Sequence, residues 1–119
     1  MKVQNYRQVD GKEGPPGVAM HVVAGPAEGA PNFVMRVFEI KPASSTPFHT
    51  HNWEHEVFVL EGRAVVKSTE GEKQLSEGDA VLVPPNEYHC FSNTGASLLR
   101  FICLVPLIDG KMPVIDPAE

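Results

Sequence analysis

An all-β fold, an antiparallel barrel or sandwich of many short strands, follows from three features of this 119-residue chain. Its apolar runs are short, eleven prolines and ten glycines cut between them, and no stretch holds a 3.6-residue apolar period long enough for a substantial helix. Taken in order, the first strand is Val18–Ala24, closed by Gly25-Pro26, and the second is Phe33–Ile40, closed by Pro42. Proline has no N–H to give to a ladder, so it marks the ends of both runs. Residues 56–60 run into Glu61-Gly62, and Ala64–Ser68 runs into Glu70-Gly71. Ala80–Val83 lies between Gly78-Asp79 and Pro84-Pro85, and residues 98–105 follow the turn at Asn93-Thr94-Gly95. The tail, residues 106–119, carries Pro113 and Pro117 and forms either a short edge hairpin around Asp109-Gly110 or an arm on the surface.

Composition narrows the function classes. A chain of 119 residues with 42% hydrophobic content fits one domain, residues 1–119, around one core. Fifteen acidic residues against ten Lys and Arg give a formal net charge of -5, and no basic run is present, so nucleic acid is not an expected partner. Residues 1–10 are polar, and the longest apolar stretch, 101–108, is broken by Pro106 and too short for a bilayer. No secretory signal or membrane segment is expected. Cys90 and Cys103 are the two cysteines, without a CxxC spacing, which implies reduced thiols and a cytoplasmic protein.

Four of the five histidines carry the chemistry: His49, His51 and His55 in one cluster, and His89 in a later one. Imidazole nitrogen suits zinc, copper, iron and nickel. On a strand, residues i and i+2 share a face about 7 Å apart, so His49 and His51 can converge on one ion. If His55 opens the next strand facing inward, Val57 and Val59 face inward too, while Glu56, Phe58 and Leu60 face out. His89, introduced by Pro84-Pro85, can be brought opposite the others by a closed antiparallel barrel.

These residues resemble the two motifs of the cupins. The first pairs H-x-H with an acidic residue and then a glycine; here His49-Thr50-His51 leads to Gly62, with His55 at the position of the acidic residue. The second runs glycine, proline, usually glycine, histidine, asparagine; Gly78, Pro84, Asn86, His89 and Asn93 stand in those places. The match covers roughly residues 43–105, with residues 1–32 as N-terminal strands and turns and 106–119 as the tail. The resemblance implies a small double-stranded β-helix (jelly-roll) barrel with a metal near one mouth.

Departures from the pattern are informative. Glu56 also satisfies a longer H-x-H-x4-E spacing, but it places Gly62 one residue too close, and strand parity turns Glu56 outward when His55 faces in. The chain is similar to compact single-domain cupins with a four-histidine cage, a likeness shared by residues 31–36. Ala43 and Asn86 stand where the motifs usually have glycine. Four neutral ligands leave the whole charge of a divalent ion on the site, which favours an anionic ligand. Manganese, iron, nickel, copper and zinc all fit the donor set. Loading is expected to weaken as pH falls through the free imidazole value of about 6.5.

Each histidine taken alone reads as a surface or satisfied core residue; the motif frame is what joins four of them. His21 lies outside it and reads as structural or exposed. Trp53 and Tyr88 read as shaping the turn or the barrel exterior. Arg36 is a lone cation on the Val34, Arg36, Phe38, Ile40 face, and either snorkels to the rim or clamps an anion in the cavity. Phe101 and Cys103 share a strand face and either line the pocket, as similar residues do in the subgroup, or pack the core. No nucleophile triad or phosphate loop is present.

Three function classes remain. The first is a metal-dependent enzyme on a small organic anion, a dioxygenase first and an isomerase or lyase next. The second is a non-catalytic small-ligand binder or sensor. In the third the ion only staples the barrel. A homodimer is expected, with Phe58 and Leu60 at the interface.

Overall fold

The computed structural model describes residues 1–114. Nine strands form two sheets: β1 (Lys12–Glu13), β2 (Val18–Ala24), β3 (Phe33–Ile40), β4 (His55–Glu61), β5 (Ala64–Ser68), β6 (Gly71–Leu75), β7 (Ala80–Val83), β8 (Cys90–Asn93) and β9 (Leu99–Pro106). The larger sheet has the order β1-β2-β3-β9-β4-β7 and the smaller β6-β5-β8, with every pairing antiparallel. The segment before β4 joins the smaller sheet through single bridges, Ser45 to Ser92 and His49 to His89. This is the all-β jelly roll expected from the sequence.

The core lies between the sheets, because period-2 alternation sends one side of each strand inward. On β9, Leu99, Phe101, Cys103 and Val105 are buried and alternate with half-buried neighbours. On β4, His55, Val57 and Val59 are buried while Glu56, Phe58 and Leu60 are exposed, as parity requires. Val34 and Ile40 from β3 meet them, and Ala64 and Phe91 close the core from the smaller sheet.

The outer face of the larger sheet divides in two. Residues 4–9 cover the β2 and β3 half: Gln4 Nε2 donates to the Val23 carbonyl at 2.6 Å, and the Tyr6 ring meets His21 edge-on at 5.6 Å. His21 Nδ1 donates to the Val9 carbonyl at 2.9 Å, so this histidine holds the arm and stands outside the four-histidine group. Over β4, β7 and β9 the face is bare, with Leu82 64% and Phe58 46% exposed beside Ile102 and Leu104.

Two turns explain the departures from the motifs. Ala43 and Asn86, standing where glycine is usual, both have positive φ, 64° and 69°. Glycine enters this region without a Cβ penalty; asparagine tolerates it and alanine is strained. Ile108 and Lys111 exchange backbone hydrogen bonds at 2.8 and 3.0 Å around Asp109-Gly110, so the tail begins with the short hairpin. Pro117 lies outside the described residues.

Candidate metal centre

Both sheets contribute to the histidine group. His49 and His89 form a hydrogen-bonded backbone pair, N to O at 3.2 and 3.0 Å. His55 opens β4 opposite Val83 of β7. His51 sits in the connection between them, where its carbonyl accepts from Asn86 N at 2.7 Å and pins the Pro84-Pro85 turn. One nitrogen from each of the four rings lies within 4.8 Å of all the others. Adjacent ring centres are 4.5 Å apart for His51 and His55 and 4.9 Å apart for His49 and His89.

Hydrogen bonds on the far sides of the rings set the tautomers. His51 Nδ1 lies 2.7 Å from the Trp53 carbonyl and His89 Nδ1 lies 2.8 Å from that of Glu87. A carbonyl only accepts, so both Nδ1 atoms carry hydrogen and both Nε2 atoms are bare. His89 Nε2 is buried without a hydrogen-bond partner, and His51 Nε2 faces His55 Nε2 at 2.8 Å. Bare, converging, buried nitrogens are what a transition ion requires, and the outer carbonyls are the usual supports of ligating histidines. The residues present therefore fit a divalent ion.

His55 is supported differently. Its Nδ1 lies 3.2 Å from Cys103 Sγ and 3.4 Å from Arg36 Nη2, which itself lies 3.0 Å from the sulfur. Were His55 Nε2 to hold an ion, Nδ1 would carry the hydrogen and the Cys103 sulfur would be its acceptor. Burial pushes the Cys103 thiol up, against the pull of Arg36.

Burial also shifts the four imidazoles. It lowers the His49 imidazole to about 4, with His89 adding repulsion, and the His55 imidazole to about 2, with Arg36 adding to burial. His51 and His89 are likewise lowered by burial, against the pull of their carbonyl partners. Protons therefore compete less strongly for these nitrogens than for free imidazole, and metal loading is expected to persist below about pH 6.5. The metal-free fold has the opposite problem. Unfolded histidines ionise near about 6.5, so below that value the unfolded chain binds more protons and stability drops toward the folded values. The melting temperature of metal-free protein is expected to fall between about pH 6.5 and 4, less steeply in His55→Gln. A flat profile in both would contradict neutral burial.

A cavity of about 360 Å³ opens beside His49, His55 and His89. Arg36, Phe101 and Cys103 all line it, together with Phe38 and Phe91, which the sequence reading did not single out. Phe38 stacks on Phe101 at 5.2 Å, and the Phe91 ring, tilted by 35°, also lies 5.2 Å from Phe101. Lys12, Glu13, Gly14 and Val114 contribute to the same lining from the β1 segment and the tail. Trp53 lies in the turn before β4, and its ring stacks on His51 at 4.2 Å and 10°. Tyr88, 46% exposed, stays outside and stacks on Phe48.

A family profile described as a cupin domain matches residues 36–105, more than half of the chain. The chain belongs to the cupin family. This cupin is similar to the polyketide cyclase RemF of Streptomyces resistomycificus, 29% identical with a TM-score of 0.82 over 89% of this chain and 79% of that one. A cupin 2 domain-containing protein of Halorhodospira halophila is 33% identical, with a TM-score of 0.73 over 80% of this chain and 68% of that one. The cupin also matches mannose-1-phosphate guanylyltransferase RfbM of Salmonella typhimurium, 33% identical over 73 residues, which are 60% of this chain and 15% of that enzyme. Among the described residues no helix is long and apolar enough to cross a membrane.

Proposed function

We propose that this cupin is a metal-dependent enzyme acting on a small, flat organic molecule through an acidic oxygen. One observation carries the reading: an aromatic-walled cavity opens directly onto three of the four clustered histidines. Its volume falls in the ordinary range of small-molecule sites, roughly 300–1,000 Å³. His49, His51, His55 and His89 hold the ion, which is manganese, iron, nickel, copper or zinc. When bound, the ion supplies Lewis-acid polarisation of a carbonyl or enol oxygen and, if redox-active, an oxidation centre. The carbonyls of Trp53 and Glu87 and the sulfur of Cys103 keep the histidines aimed. Half-buried Phe38 offers the flat body an aromatic wall, and Phe91 and Phe101 packed behind it help exclude water from the reacting oxygen.

Similarity to a polyketide cyclase over most of both chains supports ring closure as the first reaction to test. Four uncharged donors suit iron and copper as well as zinc, which supports dioxygenation as the second reading. The test incubates zinc- and iron-loaded protein with poly-β-carbonyl, catechol and diketone panels, with oxygen uptake recorded. Conversion by the zinc form without oxygen supports cyclisation, isomerisation or lysis; iron-dependent uptake supports dioxygenation. Stabilising ligands recovered unchanged in every case would make the protein a binder or sensor instead.

The cupin is further proposed to be a cytoplasmic homodimer. Two free, buried cysteines support a reducing compartment, and the acidic balance argues against nucleic-acid binding. The bare apolar half of the larger sheet, beside the half that the chain covers with its own arm, supports docking of a second copy. Leu82 is a better probe than Leu60, because it is the more exposed, at 64% against 41%. Leu82→Lys is expected to elute as monomer where wild type elutes as dimer; unchanged elution removes this face from the interface.

A further inference from the structure

Arg36 leaves β3 on its inward face and is 8% exposed. Buried guanidinium groups are normally matched by a carboxylate. Among the described residues the ion pairs are His21 with Glu39 and Arg100 with Glu39 and Glu61; none includes Arg36. Its neighbours are weak partners: Met20 Sδ at 3.5 Å, Cys103 Sγ at 3.0 Å and the Phe38 ring at 5.0 Å. Its Nε is buried with no partner at all. The same cavity that exposes three histidines is lined by this arginine; Glu13 also lines it but is exposed and makes no ion pair with Arg36, so the counter-charge can come from a ligand.

Resting on the enzyme reading above, we propose that Arg36 binds a carboxylate on the substrate, whose second acidic oxygen faces the histidines. The ligand class is then a flat molecule with two adjacent acidic oxygen groups, of the kind an ortho-hydroxy aromatic acid represents. Arginine suits this role because its planar donors pair with both oxygens of a carboxylate. His55 links the two halves of the site, since its Nδ1 lies 3.4 Å from Arg36 Nη2 while its Nε2 points toward His51. The Phe38 ring lies 5.0 Å from the Arg36 guanidinium and provides a flat wall backed by Phe101.

The test uses salicylate and its neutral amide, salicylamide, titrated calorimetrically into the full chain, metal-free and zinc-loaded. Metal-free wild type is expected to bind salicylate at least about tenfold tighter than salicylamide, with the preference falling at high salt. Arg36→Met, which fills the same space without charge, is expected to lose the preference, and Arg36→Lys to keep part of it. Equal binding of the two probes by wild type, or no binding of either, overturns the proposal, as does a preference that survives in Arg36→Met. Because the wild-type comparison needs no variant, a folding defect in Arg36→Met leaves the test decisive. Tightening of salicylate by zinc is read separately and bears on the metal reading alone.

Discussion

His89→Ala is expected to weaken binding of a divalent transition ion by more than about a hundredfold, since even outer partners of ligating histidines are worth 10–100-fold. His89 is 3% exposed, its Nδ1 is committed to the Glu87 carbonyl, and its Nε2 is buried with nothing to bond. Removing the ring deletes one of four converging donors but leaves the backbone pair between residues 49 and 89 intact, because main-chain atoms make it. The fold should therefore survive while the site fails. A built-in reporter separates these outcomes: the chain's single tryptophan, Trp53, stacks on His51. Nickel or copper should quench its emission stoichiometrically in wild type and only at great excess in His89→Ala. Equal quenching curves would show that His89 is not a ligand.

Gly62→Ala is expected to cost about 3 kcal/mol or more of stability, a sum of two effects. Gly62 closes β4 with φ 91°, where any L side chain pays about 1–2 kcal/mol. A Cβ there would also stand 2.7 Å from the Leu98 carbonyl oxygen and 3.0 Å from Leu99 Cα, both backbone atoms that cannot swing aside. Gly78 gives the control, because its φ is 89° and a Cβ there would meet open space. Gly78→Ala should cost only the conformational part. Urea unfolding of both variants decides it, and equal losses would show that the β4 turn relaxes around the added methyl.

Strands with a strong apolar signal were legible residue by residue. Val18–Ala24, Phe33–Ile40, Ala64–Ser68 and Ala80–Val83 have the bounds that their flanking turns imply. β6 escaped because Gly71–Leu75 is exposed along most of its length and carries no alternation, its existence depending on pairing with β5. β8 escaped because Cys90–Asn93 mixes small, aromatic and polar residues whose burial is decided by the opposite sheet. Parity placed His55 inward and Glu56 outward, since period 2 leaves no third choice. Trp53 could not be placed the same way, because a turn, not a strand, brings its ring over His51. Arg36 was visible as a lone cation, but its sulfur neighbours come from β2 and β9 and only the folded chain assembles them.

Four histidines, brought together by the two sheets and the connection between them, are expected to hold one ion. Anomalous diffraction from crystals grown with nickel or zinc, recorded at the absorption edge of that metal, tests it most directly. The expected result is one strong peak within bonding distance, about 2.0–2.1 Å, of a nitrogen on each of His49, His51, His55 and His89. A peak bound by fewer than three of these residues, or metal only at surface groups in fully loaded crystals, would contradict it.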